Sequence, residues 1–255
     1  MSFAQDGYEV VNLIGYGLQV VREARQKLQG ILGGAIETYH ERVPNEDLER
    51  HAKALEVVKD IPKRIIKADL PYFQWLVGID LHLQARPFLR IARPGVLTDN
   101  IGLHRDTWYG DTPYEISVWI PLTETNEGSA LRVAPGSHVW SEKEYPVERF
   151  ERPDVEKGSA KHALGFIYNP PKRLVKEPKT IPLPVKPGQM IVFSLALLHG
   201  QKVNTSDKTR VSMDCRLANS LAPIALSRSR DANYYERLTI SPVTSQAIRY
   251  AEANK

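Results

Sequence analysis

The chain has 255 residues, 42% hydrophobic and 25% charged, the balance of an ordinary globular protein with room for a substantial core. Its single cysteine, Cys215, excludes an internal disulfide and any thiolate cluster, so a bound metal has to be held by imidazole and carboxylate. The net charge of +4 is too small to favour nucleic acid over an anionic metabolite. No run approaches the roughly 18 apolar residues of a membrane span, and the opening MSFAQDGYEVVNL lacks the basic start and apolar stretch of a secretory signal, so a cytoplasmic location without a membrane partner is expected.

In chain order, apolar residues at Val21, Leu28, Ile31, Leu32, Ala35 and Tyr39 recur near helical period and predict one amphipathic helix over 18–42. A second helix is expected from Pro44-Asn45, capped by Asn45, with Leu48, Ala52, Leu55 and Val58 turned inward and Asp60-Ile61-Pro62 as its stop. A third is expected around 68–79. The texture then changes to short β-prone runs separated by Pro and Gly: LHLQARPFLRIARPG, EISVWIPLT, SALRVAPGSH, KTIPLPVKPGQMIVFS and TRVSMDCRLA. Runs of that kind indicate a sandwich or barrel. Residues 142–182 form a polar, proline-rich excursion of the size often used as a lid or binding loop. Its later part, 157–179, sets Lys157, Lys161, Lys172, Arg173, Lys176 and Lys179 against the single acid Glu177. Residues 221–255 return to helical texture, with Ser241 as a cap for 243–253. The expected organisation is one domain over 1–255: a mostly helical buttress (1–80), a mainly β core (81–220) carrying the insertion, and a helical tail.

The stretch GLHRDTWYGDTPYE at 102–115 puts His104 and Asp106 at i and i+2, on one face of an extended segment. That pair alone is weak evidence for a metal, because a chain with seven histidines produces one by chance. His40 and His51 fall on polar helix faces and read as solvated, His82 as structural at a strand start, and His162 as a surface residue of the excursion. His138 follows the tight turn of LRVAPGSHV. His199 instead ends the apolar run of MIVFSLALLHG, where an imidazole is costly without a partner and Gly200 permits a bend or a close approach. His199 is therefore preferred as a third ligand. Eleven residues on, Arg210, Ser212, Asp214 and Arg216 alternate with Val211, Met213, Cys215 and Leu217. The polar set faces either a cavity, where Arg210 and the Ser212 hydroxyl suit a carboxylate, or solvent.

The order His104-x-Asp106, His199, Arg210, together with FAQDGYEVV, RIARPG, SVWIPLTETNEGSALRVAPGSH and KPGQMIVFSLALLHG, resembles the iron(II)- and 2-oxoglutarate-dependent dioxygenases, and within them the phytanoyl-CoA dioxygenase-like branch. The resemblance implies a double-stranded β-helix, or jelly roll, with buttressing helices. It implies Fe(II) held by His104, Asp106 and His199, 2-oxoglutarate gripped by Arg210 and Ser212, and dioxygen as the second cosubstrate. Trp119 is implied as a wall of the cosubstrate pocket, with a core aromatic as the alternative. His138 lies in PGSH, a turn of that family, and is not implied as a ligand. With Asp106 present rather than Gly or Ala, hydroxylation is expected over halogenation, while desaturation, epimerisation and ring closure stay open. Arg90 (sharing a strand face with Phe88 and Ala92), Tyr109 and Arg216 are the candidate substrate contacts, and 107–112 is expected to border the open side of the site. The expected substrate is a small polar or anionic metabolite, in secondary-metabolite or carbohydrate tailoring. Two other readings stand beside it. Arg210 and Arg216 spell R-x-x-x-x-x-R, similar to the oxidative demethylases of nucleic acid, although no basic surface interleaved with aromatics accompanies it. A non-catalytic jelly-roll binding module is the second.

Overall fold

The alternation in TRVSMDCRLAN is resolved by strand β11 (Arg210–Asn219), which runs through the middle of the largest antiparallel sheet among the described residues. The computed structural model describes residues 2–43, 45–149, 161, 172–223 and 233–254. The large sheet also contains β1 (Tyr8–Asn12), β2 (Leu81–Gln84), β3 (Phe88–Ala92), β4 (Glu115–Pro121), β9 (Gln189–Ser194) and β12 (Tyr235–Thr239). Its order is β1-β9-β4-β11-β2-β12, with β3 also paired to β11. A smaller sheet joins β5 (Leu131–Val133), β8 (Ile181–Leu183) and β10 (His199–Gly200) in the order β10-β5-β8. Together they form the expected jelly roll.

Val211, Met213, Cys215 and Leu217 face outward from β11 and join Val118, Ile120, Met190 and Val192 in the main core, all fully buried under the helices. Burying each such side chain stabilises the fold by roughly 1.5–3 kcal/mol. The register sets Ser212 opposite Arg90 and Pro121, and Asp214 opposite Phe88 and Trp119. The polar set of β11 therefore faces the interior of the jelly roll. A second cluster fills that interior: Tyr8, Trp119, Leu131, Val133, Ile191, Phe193 and Leu197.

The helical buttress is α1 (Phe3–Asp6), α2 (Gly15–Leu32), α3 (Tyr39–Arg42), α4 (Leu48–Val58), α5 (Ile61–Ala68) and α6 (Leu70–Val77). The single helix expected over 18–42 is broken. Gly33 and Gly34 take φ of 77° and 137°, Gly33 closes α2 onto the Gln29 carbonyl, and Ile36 rather than Ala35 turns into the core. Two glycines in succession supply the positive φ that ends a helix. The next helix is capped by Asp47, whose carboxylate accepts the Arg50 N–H at 2.9 Å, and not by Asn45. Pro44 lies outside the described residues. Pro62 opens α5 in its first turn, where a missing N–H costs nothing. His51 is buried rather than solvated, its Nε2–H donating to the Leu89 carbonyl of β3 at 2.9 Å.

Neither end of the chain is purely helical. β1 is an edge strand on β9, and the tail returns as β12 on β2 before α7 (Pro242–Ala253), capped as expected by Ser241. Much of the excursion, including His162 and Lys157, lies outside the described residues. Near its ends β6 (Val147–Glu148) pairs with β7 (Arg173–Leu174). Of the basic residues of that run, Lys161, Lys172 and Arg173 are matched by Glu46, Glu142 and Glu148, whereas Lys176 and Lys179 are exposed. No helix among the described residues is long and apolar enough to cross a membrane.

Candidate metal and cosubstrate site

His104 and His199 meet through their backbones before their side chains. The His104 N–H donates to the His199 carbonyl at 2.8 Å and the His199 N–H returns to His104 at 2.9 Å. The close approach needs Gly200: a Cβ there would stand 2.6 Å from the Gly102 carbonyl oxygen and 2.8 Å from the Leu103 Cα. Arg105 is extended, and Asp106 opens a 3-10 turn, Asp106–Tyr109. Asp106 thereby returns to the same side as His104, as the i, i+2 spacing predicts.

Each imidazole is oriented by its own backbone. His104 Nδ1–H donates to the Gly102 carbonyl at 2.8 Å, and His199 Nδ1–H to that of Leu197 at 2.9 Å. Because a carbonyl only accepts, both rings present an unprotonated Nε2, the arrangement common to metal-ligating histidines. His104 Nε2 lies 3.4 Å from Asp106 Oδ1, and His199 Nε2 lies 4.0 Å from Oδ2. One ligand atom from each of the three residues falls within 4.8 Å of the others, and all three residues are buried. Phe193 packs 4.5 Å from the His199 ring, and Tyr109 meets His104 edge-on at 5.6 Å. Burial pushes His199 down to about 4, aided by His104 and opposed by Asp106. Burial alone would raise Asp106, but Arg216 and the two imidazoles overcome it and hold the carboxyl well below the ordinary range. At neutral pH the chain thus presents a neutral His199 and an ionised Asp106.

Arg210 is fully buried, and its Nη2 donates to Gln201 Oε1 at 2.8 Å. Its Nε and Nη1, and the Ser212 hydroxyl on the same face, have no partner in the protein. Unpaired buried donors of this kind are rare and point to a missing acceptor. Burial, followed by the charge of Arg90, pushes Arg210 down to about 9, so it stays protonated at neutral pH and suits a dianion. Trp119 sits in the interior apolar cluster. Arg90 faces inward, but its Nε donates to Asp214 Oδ1 at 2.9 Å while its guanidinium lies over Phe88. Arg216 also faces inward, against Asp106, Asp214 and Ser117. The sequence assigns no role to Gln201 or Asp214. The inward alternation of β11 named Asp214's face, and nothing in the sequence singled out Gln201.

A jelly roll with two imidazoles and a carboxylate converging between its sheets defines the architecture of the non-haem oxygenases. The sequence matches the phytanoyl-CoA dioxygenase (PhyH) family over residues 19–212, well over half of the chain. The chain belongs to that family and is an enzyme of the iron(II)- and 2-oxoglutarate-dependent oxygenase kind. No curated protein matches it by sequence. Among solved structures it is similar to the non-haem monooxygenase ThoJ in its apo form, at 18% identity and TM-score 0.59, covering 94% of this chain and 82% of that one. It is also similar to the epimerase SnoN in complex with Fe3+, alpha-ketoglutarate and nogalamycin RO, at 14% identity and TM-score 0.53, covering 88% and 83%. A third is AviO1 from Streptomyces viridochromogenes Tue57, at 16% identity and TM-score 0.51, covering 88% and 94%. These likenesses establish the shared fold.

Proposed function

We propose that the chain hydroxylates a C–H bond of a small polar metabolite, with Fe(II) held by His104, Asp106 and His199. The observation that carries the reading is the convergence of two Nε2 lone pairs and one ionised carboxylate, a donor set that suits non-haem iron. Iron(II) bound there would supply dioxygen activation coupled to the decarboxylation of 2-oxoglutarate to succinate and carbon dioxide. Arg210 would hold the distal carboxylate of 2-oxoglutarate through the donors it does not spend on Gln201, and the Ser212 hydroxyl would add a hydrogen bond. Trp119 and Phe193 belong to the buried apolar cluster of the interior and would keep water from the reacting centre. The chain's contribution is placement of the two reactants and the metal rather than acid–base chemistry.

One observation favours an uncharged polar substrate over an anionic one: Arg90 and Arg216 both place their charge on carboxylates of the chain itself. The fold shared with SnoN, solved with nogalamycin RO, is in keeping with tailoring of secondary metabolites or carbohydrates. The test is succinate release from 2-oxoglutarate with iron(II), ascorbate and a panel of hydroxylated metabolites. Release that requires both iron and a panel member is expected. Iron binding with no substrate-stimulated succinate from any member would instead leave a binding module.

A further inference from the structure

The sequence reading placed Arg216 against substrate; the geometry points to a different role, and we propose that Arg216 is a positioning residue of the metal site that fixes which oxygen of Asp106 faces the ion. Its Nη2 lies 2.8 Å from Asp106 Oδ2, in ion-pair contact though out of line for a hydrogen bond. Its Nη1 donates to Asp214 Oδ2 and to the Ser117 hydroxyl, both at 3.1 Å. Asp214 is in turn gripped by Arg90. The result is a buried chain of alternating charge, Arg90–Asp214–Arg216–Asp106, that ends on a ligand carboxylate.

Buried carboxylates crowded together repel one another, and Arg216 is the cation that touches Asp106 and Asp214, with Asp111 Oδ2 3.9 Å from its Nε. Removing one partner from such an arrangement leaves an uncompensated buried charge free to move. With Oδ2 occupied by the guanidinium, Oδ1, facing His104 Nε2 at 3.4 Å, is the oxygen left for a cation. Arg216 therefore enforces ligation through one oxygen and keeps the second from closing onto the metal. A guanidinium committed on two edges to carboxylates of the chain is poorly placed to greet a substrate anion as well.

The inference rests on the metal reading above, and its test separates the two. Co(II) is titrated alone into the metal-free protein and followed by visible ligand-field absorption, with no cosubstrate and no turnover. Wild type is expected to bind stoichiometrically, and Arg216→Met, which keeps the stem and removes the fork, to bind about 10–100-fold more weakly with a shifted band. Arg216→Lys should recover part of the affinity, and Asp214→Asn should weaken binding in the same direction by less. Circular dichroism reports whether each variant folds; if Arg216→Met does not, the Lys and Asn variants decide. Wild-type affinity and an unchanged band in the folded variants would overturn the role of Arg216 while leaving the metal site intact. Co(II) binding that is absent from wild type, or unaffected by His199→Ala, would overturn both.

Discussion

His199 and His138 differ by what their rings touch. His199 presents a bare Nε2 toward Asp106, whereas His138 donates from Nε2 to the Ala4 carbonyl at 3.2 Å and helps hold the N-terminal turn. His199→Ala is expected to abolish iron-dependent succinate release, and His138→Ala to leave iron affinity nearly intact; iron titration of both variants checks the pair. For Arg210, each charge-assisted hydrogen bond to a carboxylate is worth about 1.5–3 kcal/mol. Arg210→Ala should therefore raise the 2-oxoglutarate requirement at least about tenfold while moving iron affinity far less, and equal losses in both would remove Arg210 from that role. His51 belongs to stability rather than to the site. Burial pushes it down to about 4, below its unfolded value of roughly 6.5, so the unfolded chain takes up the proton first. The stabilisation is complete above about pH 6.5 and is lost as pH falls through about 4, at most about 3 kcal/mol. His199 adds to the same slope in the metal-free protein. Denaturant unfolding between pH 7 and 4 should show this fall, and His51→Gln should flatten part of it; an identical slope in the variant would refute the assignment.

At the level of elements, legibility followed locality. The division of β11 into two faces was readable because strand alternation has a period of two and the apolar half was unbroken from Val211 to Leu217, whereas which neighbour the polar face meets was not. The i, i+2 spacing of His104 and Asp106 was readable for the same reason. The break at Gly33-Gly34 was misread because apolar residues continue past it at nearly helical spacing, and the burial of His51 because its partner, Leu89, is 38 residues away. Gly200 shows a local signal with a distant cause. The residue marks a close approach, and what approaches is the backbone of Gly102 and Leu103. A methyl group at Gly200 would force apart the two segments that carry His104 and His199. Gly200→Ala is expected to destabilise the fold by about 1–3 kcal/mol and to weaken metal binding along with it. A variant with wild-type melting temperature and wild-type Co(II) affinity would show that the bridge tolerates separation.

Across the whole molecule, the parts least legible were the ends. β1 lies in a segment read as helical and β12 in a tail read the same way, because an edge strand's identity is set by the neighbour it pairs with, β9 or β2, far along the chain. Both bear on the site's surroundings: Tyr8 of β1 joins Trp119 and Phe193 in the interior cluster, and the Tyr235 hydroxyl of β12 donates to Glu115 at the start of β4. The three proposed ligands are likewise distributed. His104 and Asp106 stand on the connection from β3 to β4 of the large sheet, and His199 on β10 of the small one. A metal bound by all three ties the sheets together in the folded chain and has no such site in the unfolded one, so binding must raise global stability. At a free metal concentration one hundred times Kd the gain is about 2.7 kcal/mol, which for a chain of this size corresponds to a rise of about 5–10 °C in Tm. Thermal unfolding with and without Co(II) is expected to show that rise in wild type and to lose it in His199→Ala. If the variant gained as much as wild type, the stabilising ion would be bound elsewhere and the two sheets would not share it.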